Sequence, residues 1–230
     1  PGADNTYAVQ EYECWRRGGA LTYATSGDLR FFERAAADYL TAPCFVSGLV
    51  SSAASARIAR EGSARRKAEF WWYGTGCYVN PFPQEGTLFA NRYGAGFFLW
   101  KSGAKAAVAW TFCRVHQDVF NDFDGSAVNP AEPKEQATAY PHLLKADDWS
   151  TYQGAIPTIA WEAHREGVDD YAYLHVATQL IEQARRSDQQ SVRQAAEAAQ
   201  RNLDALVEAI PWTNLMNAPT FETPRLHKVR

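Results

Sequence analysis

Ile156-Pro-Thr-Ile-Ala-Trp161-Glu-Ala-His-Arg165-Glu-Gly167-Val-Asp-Asp170-Tyr171-Ala-Tyr-Leu174 is the stretch on which the reading of the whole chain turns. Pro157 suits a first helical position, where its missing N–H costs nothing, and Ile156, Ala160, Ala163, Gly167, Tyr171, Leu174 and Ile181 recur at steps of three and four. These residues make one apolar face, and it runs straight through Gly167. A glycine inside a helix costs about 1 kcal/mol against alanine. Its place on the buried side therefore predicts a close approach of another element, or a kink. Beside that face lie Glu162, Glu166, Asp169 and Asp170, with Arg165 the main nearby cation. Two arrangements fit: a solvated charged face held by pairs at helical spacing, or a helix end docked by ion pairs in which Arg165 with Asp169 or Asp170 is the lock.

Composition narrows the class. The chain has 230 residues, 46% of them hydrophobic and 13% aromatic, with a net charge of -3, as expected of a soluble globular chain with space for one large domain or two smaller ones. Mild acidity leaves no electrostatic footprint for nucleic acid, and no apolar run reaches the length of a membrane span. Pro1-Gly-Ala-Asp is not a signal peptide, and a start without Met reads as an excised or partial product, so the compartment is not legible from it. The 8 Trp and 11 Tyr serve either a bulky core or surfaces that stack on sugar faces or nucleobases. Cys14, Cys44, Cys77 and Cys113 form no C-x-x-C pair, and His116, His142, His164, His175 and His227 form no H-E-x-x-H, so no metal is expected.

Outward from the deciding helix, the preceding chain alternates strands and helices. Ala20 to Thr25 reads as a strand, and Ser26-Gly27-Asp28 opens a helix lined by Leu29, Phe32, Ala36, Tyr39 and Leu40. Cys44 to Ser47 is the second strand, followed by a helix near Ser52 to Arg66. Glu69 to Tyr73 is the third strand; Leu88 to Trp100 is a helix closed by Gly103, and Ala106 to Phe112 is the fourth strand. Repeated strand-helix units with right-handed crossovers leave a doubly wound sheet or a barrel. Gly94-Ala-Gly96 lies inside a helix and lacks a third glycine, so a dinucleotide fold is disfavoured. The expectation is an α/β chain: the C-terminal half of a (β/α)8 barrel over residues 1–185, with an amphipathic helix and a Pro-punctuated tail over 186–230. Val192, Ala195, Ala199, Leu203, Leu206 and Ile210 are that helix's expected packing face. Half a barrel leaves strand edges and helix faces exposed, so the other half is either missing or supplied by a partner.

Residues 113–155 form the longest stretch without periodicity, and after the last strand such a loop lies at the barrel mouth, where active sites are built. Asp118, Asp122, Asp124, Trp149 and Tyr152 are placed to overhang a pocket there. Asp122-Phe-Asp124-Gly125 is like part of a calcium loop, but Phe120 and Ala131 occupy ligand positions and the segment reads as a turn.

Trp72-Tyr73, Asn91-Arg92-Tyr93, Gly96-Phe-Phe-Leu-Trp100, Ala109-Trp110-Thr111 and, above all, Trp161-Glu-Ala-His-Arg165-Glu-Gly-Val-Asp-Asp170-Tyr171 together resemble the C-terminal half of the catalytic domain of glycoside hydrolase family 123-like proteins. That region is also known as a domain of unknown function in bacterial polysaccharide-associated proteins. The resemblance spans roughly Ala68 to Ala184 and is most specific in the Arg-Glu-Gly-x-x-Asp-Tyr helix. It implies an eight-unit β/α barrel that removes N-acetylgalactosamine by substrate-assisted hydrolysis. In that chemistry the substrate's acetamido group attacks the anomeric carbon, one carboxylate orients it and an adjacent carboxylic acid protonates the leaving oxygen. This chain has no Asp-Glu dipeptide, so the acid pair is expected upstream of Pro1.

The resemblance also implies a sugar-facing platform here, with Trp110 and Tyr73 at strand ends. A core role is the alternative for each; Trp72 and Tyr73 point to opposite sides of their strand, so at most one faces a pocket while the other packs under helices, and Tyr73 is the preferred candidate. Arg92 either reaches the mouth or pairs with an acid of the deciding helix. Tyr73, Trp110, Arg92 and Trp149 are thus the candidate glycan-binding residues; Asp122 and Asp124 are the fallback catalytic candidates; Arg165, Glu166, Asp169 and Asp170 are expected in structural ion pairs. Cys77 and Cys113 follow adjacent strands and are the pair to consider for a disulfide. No cofactor is expected, and the partners would be a glycan and the rest of a longer parent chain, itself secreted or periplasmic. A barrel that binds glycans without cleaving them, and a helical interaction module, are the alternatives.

Overall fold

The structure is a computed structural model, and it describes residues 6–75, 91–109, 113–114, 136–137, 139–141, 155–157 and 159–212. It is a mixed α/β protein. Its described residues divide into two compact units, the first holding 6–75, 102–108 and 212, the second the remainder.

The first unit is built on a parallel sheet. Helix α1 (Thr6–Arg17) precedes strands β1 (Tyr23–Ser26), β2 (Ala42–Val46), β3 (Trp71–Thr75) and β4 (Ala106–Ala109), which lie side by side in the order β1-β2-β3-β4. Thr25 is level with Cys44, and Cys44 with Trp71. Each strand falls within two or three residues of the position its sequence predicts, and β2 is buried at Ala42, Pro43, Cys44 and Phe45, as an inner parallel strand should be.

The connection from β1 to β2 departs from expectation. Instead of one helix from Ser26 there are two 3-10 turns, Leu29–Glu33 and Ala35–Tyr39, separated by an extended Arg34. The Asp28 carboxylate caps the first, accepting from the Arg30 backbone N–H at 2.9 Å. Neighbouring rings Phe31 and Phe32 both pack on Phe45, at 6.2 and 5.4 Å, and Phe70 joins from β3 at 6.1 Å. Consecutive aromatics anchored to one strand residue override the single helical stripe of Leu29, Phe32, Ala36, Tyr39 and Leu40; Ala36 and Leu40 of that stripe are buried, together with Phe31 and Ala37.

Helix α2 (Ala53–Arg65) forms as predicted, with Ser52 and Ser55 closing a reciprocal capping box. Its inward face is made of small residues, Ala56, Ala59, Gly62 and Ser63. A Cβ on Gly62 would lie 2.6 Å from the Phe32 ring, so this position lets the aromatic cluster slide under the helix. The β1–β2 and β2–β3 connections therefore pack on the Phe45 side of the sheet.

The second unit centres on two helices. Residues 91–102 form α3, which contains a π-helical turn at Gly94–Phe98 before its last turn Leu99–Ser102; Gly103 closes it at φ 71, as the sequence predicts. The 113–155 stretch, expected to lack regular structure, contributes two local antiparallel ladders: β5 (Cys113–Arg114) with β6 (Gln136–Ala137), and β7 (Ala139–Pro141) with β8 (Ala155–Pro157). Ladders of two or three residues are too short to leave a periodic signal. Pro157 ends β8 opposite Ala139, where it was expected to open the helix, so α4 runs instead from Ile159 to Arg185. Antiparallel to it in sequence direction, α5 (Gln190–Ala209) packs along α4 and is tied by Arg185 Nε donating to Glu197 at 2.9 Å. Its buried positions are Ala196 and Ile210, whereas Ala195 and Ala199, expected on the packing face, are exposed.

Gly167 is explained by the crossing of α3 and α4. A Cβ on Gly96 would lie 2.6 Å from the Gly167 carbonyl oxygen, and one on Gly167 would lie 2.8 Å from the Ala95 Cβ and against the Arg92 carbonyl. The two backbones touch, which only a glycine pair permits. Leu174 and Ile181, one and two heptads further along α4, continue the buried line, and Trp100 meets Tyr171 edge-on at 5.1 Å.

Candidate functional site

Residue parity in the parallel ladder sets the two faces of the first unit's sheet. Ala24, Pro43, Phe45, Phe70 and Trp72 face the helices; Tyr23, Thr25, Cys44, Val46, Trp71 and Tyr73 face the other way. Trp72 is fully buried while Tyr73 is half-buried, as the opposite-face argument requires. On the second face Tyr23 is 44% exposed, Thr25 is exposed, and Trp71 is half-buried. The rings of Tyr23 and Trp71 stand 5.8 Å apart at 45°, with Cys44 on the strand between them.

The polar groups on this face are few and neutral at ordinary pH. Burial, reinforced by a hydrogen bond with Cys44 and by the proximity of Cys44 and Tyr73, pushes the Tyr23 phenol up to about 12. Burial likewise pushes the Cys44 thiol up to about 11, which disfavours its thiolate. Trp71 Nε1 donates to exposed Glu69 Oε2 at 3.0 Å. The face can stack planar or apolar ligand surfaces; among the described residues it offers no adjacent acid pair. Among the described residues no group of His, Cys, Asp and Glu is arranged to hold a metal ion.

In the second unit Arg92 is engaged. Its Nε and Nη2 donate to Asp170 at 2.6 and 2.8 Å, a two-point clamp, and Nη1 lies 3.9 Å from Glu166. The hydrogen bond with Asp170 raises the guanidinium further above its ordinary value. Of the two roles open to Arg92 in the sequence, pairing with an acid of the deciding helix is the one the geometry displays. The proposed lock is accordingly reassigned: Arg165 pairs within its own helix, with Glu162 at 2.8 Å, Glu166 at 3.0 Å and Asp169 at 3.4 Å, while Asp170 belongs to Arg92. Arg165 is on the outer surface of α4, so it cannot reach α3.

Tyr93 and Lys101 fasten the end of α5 to α3. The Tyr93 hydroxyl donates to the Pro211 carbonyl, and Lys101 Nζ donates to the Glu208 and Ile210 carbonyls at 3.0 and 2.5 Å, satisfying acceptors that a helix C-terminus leaves open. Asn91, at 1% exposure, has an amide nitrogen with no hydrogen-bond partner, and half-buried His164 has an unpartnered Nδ1.

Of the residues singled out from sequence, Tyr73 stands half-buried on the Cys44 face of the sheet, and Arg92, Glu166, Asp169 and Asp170 stand at the α3–α4 crossing or beside it. Trp110, Trp149, Asp122, Asp124 and Cys77 lie outside the described residues. Sequence reasoning passed over Tyr23, Trp71 and Glu69. The signal was there in parity: Glu69 and Trp71 precede Tyr73 by four and two residues and share its side of the strand. No family model matches the chain, and neither the curated proteins nor the solved structures hold a match to it.

Proposed function

We propose that this chain is part of a glycan-acting domain built as a β/α barrel, contributing four parallel strands and an aromatic surface while the catalytic acids lie outside its residues. The observation that carries the reading is the sheet itself. Four parallel strands in sequential order, with the β1–β2 and β2–β3 connections on one face and aromatic residues on the other, support the barrel reading, in which successive strand-helix units wind in one direction. The substrate class rests on the resemblance of the α4 sequence and its neighbours to family 123-like glycoside hydrolases. N-acetylgalactosaminides are the first substrates to consider, by substrate-assisted hydrolysis.

Within that reading Tyr73, at the middle of β3, contributes to the glycan-binding surface. Arg92 and Asp170 hold α3 against α4. The chain lacks an Asp-Glu pair, so alone it binds without cleaving, while a longer chain that carries the pair cleaves. The test is hydrolysis of an aryl N-acetylgalactosaminide by both forms, with Tyr73→Ala in each. Turnover by the longer form only, lost or weakened by Tyr73→Ala, supports the reading; an inactive longer form that gains no thermal stability from N-acetylgalactosamine contradicts it.

A further inference from the structure

We draw no further inference here: the strongest candidate, the exposed apolar line of Val168, Val176 and Leu180 along α4 with Tyr173 beside it, is a helix face for which nothing in the structure shows what covers it.

Discussion

Gly167→Ala puts the α3–α4 crossing to its sharpest test, because two effects of known size oppose each other there. Helix propensity alone favours the alanine by about 1 kcal/mol. Against this, the new Cβ would sit 2.8 Å from the Ala95 Cβ and closer still to the Arg92 carbonyl, where ordinary contact needs a further ångström or so. The obstacle is the backbone of another helix and cannot rotate away, so α3 and α4 must separate. Overpacking of this kind costs about 1–3 kcal/mol. Separation also stretches the Arg92–Asp170 clamp, whose bonds of 2.6 and 2.8 Å span the same crossing; a hydrogen bond between charged groups contributes about 1.5–3 kcal/mol when intact, of which a partial loss is expected. The sum favours destabilisation by about 1–2 kcal/mol, a Tm lower by roughly 2–8 °C at this chain length. Thermal melts followed by circular dichroism are the assay, with Ala172→Gly on the exposed side of α4 as the control for propensity alone. A Gly167→Ala protein that melts at or above the parent temperature would mean that the helices do not touch there, and the reasoning fails.

The clamp separates two residues that the sequence left equivalent. Asp170→Asn, removing charge beside part-buried Arg92, should destabilise by about 1–3 kcal/mol, whereas Arg165→Ala, whose partners are all exposed on its own helix, should change stability by less than about 0.5 kcal/mol; equal effects in urea unfolding would reject the assignment. Native alkylation followed by mass spectrometry should modify exposed Cys14 and spare Cys44, whose thiol is buried and raised; prompt labelling of Cys44 counts against the packing of β2. Burial lowers the His164 value, so the unfolded chain takes up that proton first: stability is intact above the unfolded value of about 6.5 and falls as pH drops below it. His164→Leu should flatten that decline, and an unchanged pH profile shows that His164 is hydrated.

How much of this was legible in the sequence depended on the range of the interaction. Strand positions and the α2 and α5 helices were legible because alternation, Ser caps and apolar spacing are local. The Gly167 contact was legible as a need, since an internal glycine on a buried face asks for a neighbour, but the neighbour, Gly96, sits 71 residues away in a π-turn that has no spacing signature. The ion pairs were legible in part: Arg165 and Asp169 have helical spacing and do pair, and an acid of the deciding helix was one of two roles open to Arg92, but its choice of Asp170 spans 78 residues and depends on how the helices cross. Phe31 and Phe32 defeated the helical reading of 29–40 because both serve Phe45, a contact that periodicity does not encode. On the candidate site, strand parity placed Tyr73 correctly relative to Trp72, yet Tyr23 and Trp71 became visible only when the ladder register set them on one face.

Hydrolysis of an aryl N-acetylgalactosaminide tests the central functional claim most directly. A chain extended upstream to include an adjacent Asp-Glu pair is predicted to release the aryl group, and the 230-residue chain is predicted to release none. No turnover by the extended chain, or equal turnover by both, would contradict the claim.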